Sequence, residues 1–171
     1  MPSSGMAFPT KRDWFSNWFW YLGALAWIVC DQWTKWLADS LLQYARPQEV
    51  FWFFDLTLLY NPGAAFSFLS DAGGWQKWMF SAISAIVSVF LVLEIPRQKS
   101  FCAKLALAMI LSGAIGNLID RLRFGYVIDF IHLHWQNHYF PAFNLADAAI
   151  SVGVCFLLVD WFLLERKRQD A

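Results

Sequence analysis

Four long apolar stretches alternate with shorter polar ones along the chain: Trp14–Cys30, Trp78–Leu93, Leu105–Ile119 and Ala148–Val159. Each is shorter than the roughly 20 residues that cross a bilayer. Extended by the polar residues at their ends, they predict four membrane spans, at about 15–38, 75–95, 101–120 and 141–164. The first continues through Asp31 and Lys35, Lys104 can snorkel from the third, and Pro141 suits a first helical turn of the fourth. A longer insertion, about 39–74, separates the first two spans. Within it Glu49–Tyr60 is rich in aromatic and β-branched residues and ends on the turn signal Asn61-Pro62-Gly63, which predicts one or two short strands. Their aromatic density suits a platform at the headgroup level. Ala64–Leu69 reads as a short interfacial helix and Ala72-Gly73-Gly74 as its link to the second span. Tyr126–Ile131 reads as a strand or a short turn. The fold class expected is an all-α integral membrane domain of four helices with a small β-platform.

Composition strengthens that reading. Hydrophobic residues make up 58% of the 171 and charged residues 15%, against about 25% charged in a typical soluble domain. Too little polar surface remains to coat a water-soluble globule. A net charge of zero gives no reason to expect nucleic acid as a partner. Cys30, Cys102 and Cys155 lie in apolar stretches without a CxxC spacing, so they read as small buried hydrophobes. Basic residues set the orientation. Lys11 and Arg12, then Arg97, Lys99 and Lys104, then Arg166, Lys167 and Arg168 fall on one side of a four-span bundle. That side is expected to be cytoplasmic, with both termini on it. Arg121 and Arg123 run against the rule, which suggests a specific partner for at least one. The first span lacks a small-residue exit before Asp31 and reads as an uncleaved anchor.

Polar residues gather near the outer boundary. Asp31 and Lys35 are four apart on one helix face and can pair. Asn117, Asp120 and Arg121 form a stripe at the outer end of the third span, where Arg121 is expected to pair with Asp120. Asn144 and Asp147 sit three apart at the outer end of the fourth, and Asp129 lies in the apolar run between. A charge at membrane depth costs at least about 2.5–3.5 kcal/mol, so such residues usually face a bundle interior. With Lys35 and Arg121 assigned to Asp31 and Asp120, Asp129 and Asp147 are left without counterions. Two carboxylates held close in a dry site share one proton and can act as base and acid. Separately capped aspartates remain the alternative, Asp147 being a natural first-turn anion. A small proton-coupled transporter is a rival of another class. His132, His134 and His138 form a loose cluster that reads as interfacial rather than metal-binding. Gly113 and Gly116 read as a close helix-packing face.

Five segments resemble bacterial lipoprotein signal peptidase, also called signal peptidase II: Asp31–Lys35, Tyr60–Ser67, Gly113–Arg121, Val127–Phe130 and Phe143–Ala148. They occur in the family's order and cover nearly the whole chain. Pro62 stands where a Thr is more usual. The resemblance implies catalytic aspartates at Asp129 and Asp147 and supporting or substrate-binding residues at Asp31, Lys35, Asn61, Gly63, Asn117, Asp120, Arg121 and Asn144. It implies an endopeptidase of the inner membrane that cuts prolipoproteins just before a diacylglyceryl-modified cysteine. No metal or organic cofactor is expected, the partners being lipid-modified precursors and membrane lipid, and the enzyme acting as a monomer.

Overall fold

The computed structural model describes residues 9–63 and 74–169. Helix α1 is Lys11–Leu41, followed by strands β1, Gln48–Phe51, and β2, Phe54–Asn61. Helix α2 is Trp75–Glu94 and ends in a 3-10 turn, Ile95–Arg97. Helix α3 is Phe101–Arg123. Strands β3, Val127–Trp135, and β4, His138–Tyr139, lead to helix α4, Leu145–Gln169. The interfacial helix expected at Ala64–Leu69 lies outside the described residues.

The helices are inside-out relative to those of a soluble bundle. Trp78, Ile83, Ile86, Val89 and Phe90 of α2 are exposed, as are Val154, Leu158, Trp161 and Phe162 of α4, while Asp31, Lys35, Asn117 and Asp120 are buried. Among the described residues three helices are long and apolar enough to cross a membrane, by length and composition: Trp75–Arg97, Phe101–Arg123 and Leu145–Leu163. α1 is longer, at 31 residues, and its outward face carries Trp18, Leu22, Leu25, Val29, Trp33 and Trp36. Its start is fixed by a capping box, in which Thr10 Oγ1 accepts from the Asp13 backbone and the Asp13 carboxylate accepts from the Thr10 backbone.

α3 is the central helix, and small residues let it be. A Cβ at Gly113 would lie 2.2 Å from the Ala146 carbonyl oxygen, and one at Gly116 would lie 2.6 Å from Asp31 Oδ2. Only the missing side chains allow α4 and the Asp31 carboxylate to come this close. On the opposite side, Trp20, Ala24, Leu91, Ile95, Leu107, Ala108 and Leu111 form an apolar core among α1, α2 and α3.

The sheet extends one expectation and corrects another. The one or two strands expected in Glu49–Tyr60 are β1 and β2, and the strand or turn expected at Tyr126–Ile131 is the longer strand β3, which with β4 completes a four-stranded antiparallel sheet in the order β1-β2-β3-β4 among the described residues. Its central pairing joins β2 to a nine-residue β3. Ile128 and Phe130 pack with Leu58 and Ala38 in a second small core, so the sheet is fastened to α1. The fourth helix does not begin at Pro141. Phe143 is still extended, pairing with Ile131 through reciprocal backbone bonds of 2.9 and 3.0 Å. The helix can start only after that bridge, at Leu145. The bridge also holds the entrance of α4 against β3.

Candidate active site

Lys35 anchors the buried polar layer. Its ammonium reaches Asp31 Oδ2 at 2.9 Å, Asp120 Oδ2 at 3.0 Å and Asn117 Oδ1 at 3.0 Å. The three acceptors match the three donors of an ammonium group. Asp31 and Asp120 each also accept from a backbone N–H. Asp31 Oδ1 accepts from Ala146 N at 2.8 Å, joining α1 to the first turn of α4. Asp120 Oδ2 accepts from Ile128 N at 3.1 Å, joining α3 to β3. Gln32 completes the set by donating to Asp120 Oδ1 at 2.8 Å and to the Gly116 carbonyl at 3.2 Å. One cation thus ties together the elements that carry the remaining site residues.

Two asparagines pass that order on. Because Asn117 Oδ1 accepts from Lys35, its amide nitrogen must face away, and it donates to Asp147 Oδ1 at 2.7 Å. Asn144 is the N-cap of α4. Its Oδ1 accepts from Asp147 N at 2.9 Å, and Asp147 Oδ2 accepts from Asn144 N at 3.3 Å, a reciprocal cap. That fixes the Asn144 amide nitrogen toward Asp129 Oδ1 at 2.7 Å and the Ile128 carbonyl at 3.2 Å. Asn61 donates to the other Asp129 oxygen at 3.0 Å. Asn61 lies diagonally across the β2–β3 pairing from Asp129, whose direct partner is Leu59, so both side chains share one sheet face. Gly63 donates its N–H to Asn61 Oδ1 at 2.9 Å and adopts a φ of 101°, with Phe80 where a Cβ would go. Its lack of a side chain allows the turn that orients Asn61.

Asp129 and Asp147 are therefore brought together as two amide-held carboxylates on different elements, one on β3 and one in the first turn of α4. Asp129 is 2% exposed. Burial, and then the charge of Asp147, push its pKa from 3.8 up to about 7, against the opposing pull of Asn61 and Asn144. Such a carboxyl keeps a proton near neutrality, as a proton-sharing pair requires.

Arg121 does not pair with Asp120. Neighbours in a helix point about 100° apart, and Asp120 is already taken by Lys35 and Gln32. The Arg121 guanidinium is half-buried, lies 5.3 Å from the Phe80 ring centre, and has Asp147, Asp120 and Asp129 within electrostatic reach. Its Nε is buried without a partner. One guanidinium nitrogen donates to the Asn117 carbonyl at 3.4 Å, and among the described residues Arg121 forms no ion pair. An apolar groove of about 380 Å³, lined by Leu133, Phe140, Phe143, Ala148, Ser151 and Val152, leads to Asp147. A larger cavity of about 580 Å³ under Trp52, Trp135 and Tyr139 includes neither aspartate.

His132 and His134 both lie against the Tyr139 ring, at 5.0 and 5.2 Å. His132 faces Thr57, His134 faces Asp55 and His138 is exposed. Among the described residues no three His, Cys, Asp or Glu side chains are grouped to hold a metal ion. Gln32 and Phe80 are site residues that the sequence alone did not single out. Gln32 is one position off the Asp31–Lys35 face, and Phe80 is one of 17 phenylalanines.

The sequence model of the family described as signal peptidase (SPase) II matches residues 23–163. The lipoprotein signal peptidase of Acinetobacter baumannii is 56% identical over 144 residues, covering 82% of this chain and 81% of that protein. The lipoprotein signal peptidase of Neisseria meningitidis serogroup C is 50% identical over 154 residues, covering 89% and 92%. That of Cellvibrio japonicus is 47% identical over 156 residues, covering 90% and 92%. A bacterial membrane enzyme solved by the in meso method at 2.3 Å resolution superposes with a TM-score of 0.77 at 28% identity, covering 90% of this chain and 92% of that one.

Proposed function

The chain belongs to the signal peptidase II family, and from that premise we propose that it is an aspartyl endopeptidase that cuts lipid-modified prolipoproteins just before the modified cysteine. Removal of signal peptides from prolipoproteins is the family's activity, and a bacterial membrane is its place. The observation that carries the mechanism is the pair of amide-held carboxylates, of which Asp129 keeps its proton to about pH 7. The ionised member takes a proton from water, and the resulting hydroxide adds to the scissile carbonyl. The protonated member then donates to the departing amine of the cysteine as the C–N bond breaks. Arg121 faces the developing oxyanion side of the site, and the groove beside Asp147 receives apolar parts of the substrate. Asn61, Asn117 and Asn144 hold the carboxylates, and Lys35, Asp31 and Asp120 hold the asparagines.

The same reading makes residues 1–171 one membrane-embedded domain with α1 as the fourth span. Both termini face the cytoplasm, the sheet and the aspartates lie at the outer face, and the 39–74 insertion is extracytoplasmic. The chain acts as a monomer and needs no metal or organic cofactor. Purified protein in detergent is incubated with a diacylglyceryl-modified prolipoprotein and followed by gel shift. Cleavage by the wild type and none by Asp129→Asn is the expected result. Equal cleavage by both removes Asp129 from the mechanism. Ion flux without cleavage would make the chain a transporter built on the same buried charges.

A further inference from the structure

Leu145 and Ala146 share one peptide group, and α1 holds that group from both edges. The Trp27 indole Nε1 donates to the Leu145 carbonyl at 3.0 Å, and Asp31 Oδ1 accepts from the Ala146 N–H at 2.8 Å. Trp27 and Asp31 are four residues apart in α1, so they reach α4 from one helix face. A peptide group is planar, with its C=O and N–H pointing to opposite sides. One bond lets the plane pivot, and two bonds at opposite edges fix it. The next residue along is Asp147, which therefore leaves the backbone in a set direction toward Asn117 and Asp129.

Nothing else accounts for the indole N–H of Trp27. It lies eight residues before Lys35, about 12 Å deeper at about 1.5 Å per helical residue. On the membrane reading that is below the headgroup level where tryptophans serve as anchors. Its ring lines an apolar groove of about 400 Å³ with Gly23, Ala24, Ala108 and Ser112. In such surroundings little water competes for the Leu145 carbonyl, so the bond orients more strongly than it would at a surface. We propose that Trp27 is a positioning residue for the reaction: together with Asp31 it clamps the 145–146 peptide group and so holds Asp147 beside Asp129. The role in turnover rests on the peptidase reading above, and the clamp itself does not.

The test places benzothienylalanine at position 27, which keeps the shape of the indole and lacks its N–H, and compares it with Trp27→Phe, both in the full-length chain in detergent. Asp129 is followed without reference to cleavage, through the infrared band of its protonated carboxyl, identified by its loss in Asp129→Asn. Burial, and then the charge of Asp147, raise the pKa of Asp129 to about 7, while Asn61, Asn144 and Lys35 oppose them; Arg121 also lies within electrostatic reach. Asn144 stays with Asp129, because its neighbour Phe143 is bridged to Ile131 of β3. Release of the clamp therefore moves Asp147 away and admits water, and the band should titrate at lower pH in both variants than in the wild type. Turnover should fall about ten-fold, the worth of one hydrogen bond. KM should be unchanged, since Trp27 does not line the groove beside Asp147. The thermal midpoint of the benzothienylalanine protein should stay that of the wild type. An unmoved titration overturns the proposal whatever happens to turnover, and with a lowered midpoint it would leave Trp27 a packing residue only. A wild type that cleaves nothing, with a titration that still shifts on loss of the N–H, removes the peptidase reading and leaves the clamp standing.

Discussion

Asn117 and Asn144 decide how the two aspartates are presented, since each amide has its oxygen occupied and its nitrogen turned to a carboxylate. If Asp129 and Asp147 act as one unit, Asp129→Asn and Asp147→Asn each abolish cleavage and the double variant is no worse, as residues of one unit are not additive. Asp129 also sets a pH dependence. In the folded chain it holds its proton to about 7, and in the unfolded chain to 3.8. Between those values the folded state binds more protons, so stability falls as pH rises through the window and this group adds no further change above it. The wild-type thermal midpoint should decline over that range more steeply than that of Asp129→Asn, and cleavage should fall as pH rises through the same upper value. Matching slopes in the two proteins would remove the raised pKa. Lys35 and Arg121 should separate by role. Lys35 is 2% exposed with two carboxylate partners, so Lys35→Ala should cost about 3–5 kcal/mol, read by unfolding in detergent. Among the described residues Arg121 forms no ion pair, so Arg121→Ala should leave the midpoint nearly unchanged and lower turnover. The Asp31–Lys35 pair was legible from its four-residue spacing. That Lys35 also serves Asp120 was not, because the contact depends on how α1 packs against α3, and the spare cation was assigned to its sequence neighbour.

At the level of elements, α4 owes its position to three local devices: the Phe143–Ile131 bridge, the Asn144–Asp147 cap and the bond from Ala146 N to Asp31. The cap and the site use different atoms of Asn144, which allows them to be tested apart. Asn144→Ser keeps a cap oxygen and loses the amide that donates to Asp129. Its stability should stay within about 1 kcal/mol of wild type, the size of a cap interaction, while turnover falls sharply. Wild-type turnover in that variant would mean that the Asn144–Asp129 bond is dispensable. Gly113→Ala addresses the packing itself. Its methyl would stand 2.2 Å from the Ala146 carbonyl oxygen, a backbone atom that cannot step aside, so α4 must move away from α3. Thermal unfolding should show a loss of about 1–3 kcal/mol, as for other overpacked cores, with activity lost alongside. Helices α2 and α3 could be read from their apolar runs almost to the residue. The strands of Glu49–Tyr60 could be read too, but the extent and pairing of β3 could not. β3 draws its identity from pairing with β2, a segment far away in sequence, and its first four residues are buried on both faces, which erases the alternation that marks a strand. Pro141 misplaced the start of α4 because proline fits an extended approach as well as a first helical turn.

Across the whole molecule, polar groups fall into two layers. Ser100 at the start of α3 hydrogen-bonds to Asp160 of α4, and Glu94 pairs with Arg97 nearby. Asn117, seventeen residues further along α3, belongs to the layer of Lys35, Asp129 and Asp147. At about 1.5 Å per helical residue the two layers are about 26 Å apart, close to the roughly 30 Å of a hydrocarbon core. On the proposed reading, the Ser100 layer lies at one membrane boundary and the layer of Lys35, Asp129 and Asp147 at the other. The clusters at Arg97–Lys104 and 166–168 fall at the first boundary, and the proposed orientation takes that boundary as cytoplasmic by the basic-residue rule. This orientation can be tested without reference to activity. After the three native cysteines are replaced, single cysteines are placed at Gln43 and Asn137 on the sheet side and at Lys99 on the Ser100 side, all exposed positions. A membrane-impermeant thiol reagent should label the first two in intact cells and Lys99→Cys only after permeabilisation. The reverse pattern would put the aspartates at the cytoplasmic face. The basic-residue assignment would then fail, and with it the proposal that the enzyme meets its substrate where the precursor's mature part emerges.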